Sequence, residues 1–383
     1  MHELVAAAKA LQPALRERAA KTRALRRLPD ETVADLHEAG FFRMLQPRHR
    51  GGLEVHPNTF YAVQIALGAA CPSTAWVMSV LAVHAWQLAL FAEAAQDEVW
   101  EDERALIASS YAPTGKVERV EGGYRVSGRW SFSSGSDHCG WVFLGGMVPP
   151  EKEGQPPQMR TFLLPRSDWE LEDTWHVAGL RGTGSNDVVV PGAFVPEHRT
   201  HRLVDGFTGR NPGLRTPLYR LPFGQVFVRS VSTTALGCLE GAIDAFLEVG
   251  RQKVAASTGK KVAGDPTAQQ VAAEASATLD ELRLVLERSM DEMMQLAERD
   301  ESIPLERRVR FRYESARAVQ RATDAVDALF TCSGGRALFQ GVPIQGFFQD
   351  VHGVRAHFAN KPEGPARNLG GVLLGLENTD LFL

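Results

Sequence analysis

The chain has 383 residues, more than one ordinary hydrophobic core holds, so two or three sub-domains are expected. Its composition, 44% apolar and 23% charged, is that of a soluble globular protein. A net charge of -4, with no basic block outside residues 16–27, argues against a nucleic-acid surface.

That basic block is interleaved with Ala and Leu, so it reads as a solvated helix face. Residues 1–20 are charged and amphipathic and do not read as a secretory leader. No uninterrupted apolar run reaches the roughly 18 residues of a membrane span. Cys71, Cys139, Cys238 and Cys332 are widely spaced and form neither a CxxC pair nor a disulfide framework, which points to a reducing cytoplasm. The histidines do not fall at metal-ligand spacings, so no metal site is expected.

Taken in order, residues 1–100 carry apolar positions at three- and four-residue steps and predict helices. Asp30 is a candidate N-cap for a helix ending at Gly40. A strongly apolar helix over 74–91 contains His84 and Trp86. From about Ile107 the apolar residues begin to alternate and Gly, Ser and Pro increase. Short strands are expected over 117–120, 124–130, 141–147, 161–165 and 187–190. Residues 201–223 read as an Arg-, Gly- and Pro-rich linker. Long Ala-rich amphipathic helices follow over 228–251, 266–299 and 305–329, and a last one over 344–359, enough for a four-helix bundle. The glycines of 175–187 are not spaced as GxGxxG, so no dinucleotide fingerprint is present.

The stretch 124–146 stands out. It predicts two strands around a corner, 133–140, that holds hydroxyls, glycines, Asp137, His138 and Cys139 between aromatic walls. Glycine and serine let backbone approach a flat ligand closely, and their N–H and O–H groups meet ring heteroatoms. A serine-capped hairpin is the plain alternative.

Six stretches carry a family resemblance: Ala75-Trp76-Val77 through His84-Ala85-Trp86, Ser109-Ser110-Tyr111-Ala112-Pro113, residues 130–141, residues 175–190, Ser333-Gly334-Gly335-Arg336-Ala337-Leu338, and Asp350-Val351-His352-Gly353-Val354-Arg355-Ala356-His357. In this order the chain resembles the acyl-CoA dehydrogenase fold over its whole length. Within that fold it is similar to the oxygenase components of flavin-dependent two-component monooxygenases, such as the 4-hydroxyphenylacetate and secosteroid phenol hydroxylases. The resemblance implies a mainly α protein with a central β-domain: a helical domain over 1–112, a β-barrel or sandwich domain over 113–210, and a four-helix bundle over 211–383. The glutamate that many dehydrogenases carry near the C-terminus has no counterpart, since the region reads Arg355-Ala356-His357-Phe358. Glu363 beside Pro362 reads as loop.

The resemblance implies reduced FAD or FMN (FADH2 or FMNH2) from a separate NAD(P)H-flavin reductase, with O2 as co-substrate. The flavin forms a C4a-hydroperoxide that hydroxylates a phenol, indole or polycyclic ring. It further implies His357 as the base that ionises the ring, His84 as a second catalytic histidine binding a substrate hydroxyl or peroxide, and Ser134 near flavin N5. Ser110, Phe132, Trp175 and Ser185 become cofactor contacts. Arg251, Lys260, Gly334 and Gly335 become the phosphate neighbourhood, shared between subunits of a homotetramer. N- or S-oxygenation, an acyl-CoA dehydrogenase, and a helical scaffold that has lost flavin are the alternatives.

Overall fold

Three- and four-residue apolar spacing folds the first hundred residues into helices. The computed structural model describes residues 2–150, 152, 154–207, 216–252, 262–380 and 383. In order come α1 (His2–Leu25), α2 (Asp30–Glu38), α3 (Pro57–Gly68), α4 (Pro72–Leu88) and α5 (Glu93–Trp100). Pro57 and Pro72 open α3 and α4 at the first helical turn, where a missing N–H leaves no bond unmade. Pro29, not Asp30, holds the cap position of α2. Every residue of α4 is buried, which marks it as a helix enclosed on all sides.

Eight strands follow among the described residues: β1 (Ile107–Ser110), β2 (Lys116–Val120), β3 (Gly123–Ser133), β4 (Trp141–Val148), β5 (Gln158–Pro165), β6 (Glu170–Glu172), β7 (Asn186–Pro196) and β8 (Thr200–Arg202). They form two four-stranded sheets, β1-β4-β5-β8 and β2-β3-β7-β6. β1 runs parallel to β4, and every other pairing is antiparallel. β1, β6 and β8 have three or four residues each, too short for alternation to show in sequence. β1 begins at Ile107, where the apolar residues begin to alternate, a few residues ahead of the expected domain boundary at 112.

The chain then enters α6 (Leu203–Phe207), α7 (Phe223–Gln252), α8 (Pro266–Glu298), α9 (Leu305–Cys332), α10 (Pro343–Ala356) and α11 (Glu363–Leu373). Asp265 caps α8, its carboxylate accepting from the backbone N–H groups of Thr267 at 2.8 Å and Ala268 at 3.1 Å. α11 was not expected, and Glu363 opens it rather than lying in a loop. α7 is the hub of the bundle and packs on α3, α4, α8, α9 and α10. Its contact with α3 is backbone to backbone: a Cβ on Gly237 would stand 2.7 Å from the Gly68 Cα. By length and mean hydropathy residues 223–251 could cross a membrane, but 94% of the apolar window is buried inside the protein. That burial makes α7 a core helix.

Candidate active site

The corner after β3 begins with strained backbone. Register slips between Trp130 and Ser133, and Phe132 takes φ +68°, a left-handed conformation rare for an aromatic residue. The strain turns its ring outward, 71% exposed, and edge-on to Trp175 at 6.1 Å. Gly135 completes the turn at φ +72°, where a Cβ would press on Val77 of α4 at 3.0 Å. The corner is thereby clamped onto α4.

One rung down, Trp76 of α4 donates its indole N–H to the Ser134 hydroxyl at 3.0 Å. Ser134 lies 2.7 Å from the Ser185 hydroxyl, which lies 2.7 Å from that of Thr183. Thr183 in turn donates to the Leu180 carbonyl at 2.9 Å. Leu180 sits at φ +52° and its N–H is held at 2.7 Å by the buried carboxylate of Asp350 on α10. Ser134 is half-buried, whereas Ser185 is buried and meets a ligand only through Ser134.

The same Trp76 ring stands edge-on to His357 at 5.6 Å. From there an arc of rings runs to Phe227 at 6.3 Å, on to Tyr111 at 5.4 Å, and to His84 at 6.1 Å. His357 follows α10 and is half-buried. The Ala359 N–H donates to its Nδ1 at 3.2 Å, so the neutral ring carries its proton on Nε2. Burial, with Arg312 nearby, pushes its pKa from 6.5 down to about 4. His357 is therefore neutral and offers a donor at Nε2. This geometry does not supply the lone pair that the expected base requires.

His84 holds the opposite tautomer. Its Nδ1–H donates to the Ile107 carbonyl at 2.5 Å, leaving the Nε2 lone pair to accept from Ser109 at 2.9 Å. Burial pushes this ring down to about 4 as well. Both nitrogens are engaged, so His84 reaches a ligand through Ser109 rather than directly. Tyr111, half-buried beside Ser109, donates to the Gln87 side-chain carbonyl. Gln87 is oriented from behind by His201, whose Nδ1–H goes to the Arg202 carbonyl at 2.9 Å and whose Nε2 faces the Gln87 amide at 3.1 Å. Ser109 and Tyr111 thus both spend their hydrogens on protein acceptors, His84 and Gln87, and can only accept from a further group.

Of the remaining expected contacts, Ser110 is buried and donates to the Ser131 carbonyl at 2.7 Å. Trp175 is half-buried, its indole N–H on the Leu180 carbonyl at 3.0 Å. Arg251 is exposed at the end of α7, and Gly334 and Gly335 are exposed in the turn after α9. No hydrogen bond or ion pair among the described residues joins these three to the Ser134 corner. Lys260 lies outside the described residues, and no metal-holding cluster occurs among them. A cavity of about 430 Å³ opens elsewhere, between α8 and α9 beside Glu274, Arg321 and Asp324. It has no aromatic wall.

Trp76, Ser109, Tyr111, Gln87 and Thr183, which contact the expected residues or one another here, were not among the expected site residues. Trp76 and His84, eight apart on one helix, were the available signal. A flat ring edged with N–H and C=O groups fits the Ser134 corner, which offers an exposed Phe132, the Trp175 edge and a hydroxyl.

Two helical domains around a small β-domain with this corner define a flavoprotein of the acyl-CoA dehydrogenase fold. Residues 4–103 match the family model of the acyl-CoA dehydrogenase N-terminal domain, and 230–362 that of its C-terminal domain. Flavin-dependent monooxygenase, oxygenase subunit HsaA, of Rhodococcus jostii strain RHA1 is 43% identical over 98% of this chain and 99% of its own length. The oxygenase component of p-hydroxyphenylacetate 3-hydroxylase from Acinetobacter baumannii is 32% identical over 95% of this chain and 87% of its own. The structure of 3-HSA hydroxylase from Rhodococcus sp. RHA1 superposes with a TM-score of 0.95 at 42% identity, covering 100% of this chain and 99% of that one. XiaF from Streptomyces sp., in complex with FADH2 and glycerol, superposes at 0.92 with 27% identity, over 99% and 96% of the two chains. The chain belongs to the family of flavin-dependent two-component monooxygenases, as an oxygenase component that hydroxylates aromatic compounds.

Proposed function

We propose that the aromatic ring is a phenol, held with its hydroxyl at Ser109 and Tyr111 while reduced flavin lies against Ser134, Phe132 and Trp175. The observation that carries this reading is that Ser109 and Tyr111 both spend their hydrogens on protein acceptors, Ser109 on a histidine in the accepting tautomer. A phenol offers the hydrogen such a pair needs. A thioether or thiophene offers none, which counts against S-oxygenation.

The proton path follows from the same bonds. The phenolic proton passes to the Ser109 oxygen while the Ser109 proton passes to His84 Nε2. The phenolate that remains is the counter-charge that makes a buried imidazolium tolerable. Its ring is electron-rich at the attacked carbon. On the far side of the arc, His357 Nε2–H donates to developing negative charge on oxygen, and Trp76 fixes the ring that does so. The packed rings of Phe227, Tyr111 and Trp76 keep water away. When bound, the flavin, as FADH2 or FMNH2 from a separate reductase, supplies the electrons that activate O2.

The phosphate end of the cofactor is assigned to Arg251, Lys260 and the Gly334-Gly335 turn of a neighbouring subunit in a homotetramer. The support is that exposed Leu338 and Phe339 flank this turn. Cys71, Cys139 and Cys238 are buried thiols in no disulfide, in keeping with a cytoplasmic home. Light scattering of the purified protein tests the tetramer.

The test of function is product analysis with a phenol panel, a flavin reductase and the variants Ser109→Ala and His84→Asn. Product formation should fall by roughly 10²-fold or more, while flavin is still oxidised with release of H2O2. Hydroxylation at the wild-type rate in both variants would remove the phenol reading.

A further inference from the structure

We propose that Thr183 and Ser185 are positioning residues that make the site prefer reduced over oxidised flavin, by fixing which way the Ser134 hydrogen points. This rests on the reading that flavin lies against Ser134 with N5 toward it.

The direction of the hydroxyl chain is set at both ends. A hydroxyl oxygen 2.9 Å from a carbonyl oxygen must place its hydrogen between them, so Thr183 donates to Leu180. A hydroxyl has one hydrogen, so Thr183 accepts from Ser185. Ser185 has then spent its own hydrogen and accepts from Ser134. At the other end an indole N–H is donor only, so Trp76 donates to Ser134. The order is Trp76 to Ser134 to Ser185 to Thr183 to the Leu180 carbonyl, with no hydrogen left to point at a ligand. Ser134 therefore offers one remaining lone pair.

Flavin chemistry makes that lone pair selective. In the reduced ring N5 carries a hydrogen and donates to it. In the oxidised ring N5 has only a lone pair, and the two acceptors face each other. Ser185 and Thr183 touch no ligand, being 3% and 1% exposed, and act only through Ser134. Asp350 holds the far end of the chain by fixing Leu180. An oxygenase that receives reduced flavin and must discard the oxidised product gains directly from such a preference.

The experiment measures dissociation constants for oxidised FAD and FMN aerobically, and for the reduced forms anaerobically, on the whole chain. Ser185→Ala and Thr183→Val each free the Ser134 hydrogen to turn toward N5. Oxidised flavin should bind about tenfold tighter relative to reduced flavin in both, the scale of one misdirected buried hydrogen bond. The midpoint potential of the bound two-electron couple should fall by about 30 mV, the same ratio expressed electrically. Thr183→Ser keeps the chain and should keep the wild-type ratio. An unchanged ratio in folded Ser185→Ala and Thr183→Val, with flavin binding intact, overturns this proposal alone. Failure of the wild type to bind either form overturns the flavin reading and this proposal with it.

Discussion

Trp76 stands edge-on to His357, ring centroids 5.6 Å apart at 67°, and gives its indole N–H to Ser134 at 3.0 Å. One side chain of the N-terminal helices thus joins the β-domain corner to the C-terminal bundle. Trp76→Phe keeps the ring and deletes the donor. It should cost about 1 kcal/mol of stability and lower the product yield per flavin oxidised roughly two- to tenfold. Parallel assays of product and H2O2 measure the split, and unchanged coupling would show that the indole N–H plays no part.

His357 as donor and His357 as base predict different pH behaviour. A ring whose pKa is held near 4 stays neutral from about pH 5.5 upward. Its contribution to coupling should be flat from pH 6 to 9. His357→Ala should lower coupling, and His357→Gln, which restores an N–H, should recover part of it. A base role would instead appear as a titration that His357→Ala abolishes.

Acid should destabilise the protein through its buried histidines. His84 and His201 are pushed from 6.5 to about 4 by burial, so between those values the unfolded chain binds protons that the folded one refuses. Stability rises with pH wherever the unfolded state holds more protons. The stabilisation is complete above about pH 6.5 and is lost as pH falls toward 4, at up to about 3 kcal/mol per ring. Thermal melts from pH 7.5 to 4.5 should show Tm falling across this window. His201→Gln should flatten the slope, and a parallel curve for that variant would exclude His201 as a source.

The α3–α7 contact leaves no room for a side chain. Gly237→Ala would bring a Cβ to 2.7 Å from the Gly68 Cα, backbone against backbone. Overpacking of this kind costs about 1–3 kcal/mol. Urea unfolding should show that loss, whereas Gly250→Ala, with nothing within 4 Å of the added Cβ, should show none.

Asp350→Ala should disorder the turn that carries the hydroxyl chain, since Leu180 at φ +52° would lose the acceptor for its N–H. A cost of about 1–3 kcal/mol in stability is expected for the orphaned buried donor. Oxidised flavin should also bind more tightly relative to reduced, as in Ser185→Ala.

The helices, the longer strands and the corner over 133–140 were legible in the chain, because 3.6- and 2-residue periods and turn residues are local signals. His84, Ser134 and His357 stand out through motifs as candidates, yet their hydrogen-bonding states do not. Whether an imidazole is a donor or an acceptor depends on what its other nitrogen meets, and those partners, Ala359 for His357 and Ile107 for His84, become decisive only in the folded geometry. The direction of the Ser134 hydroxyl depends on Thr183 and Leu180, some fifty residues away along the chain. Local composition specifies which groups a segment carries; hydrogen-bond polarity and burial belong to neighbours brought together from distant segments, and only the tertiary structure decides them.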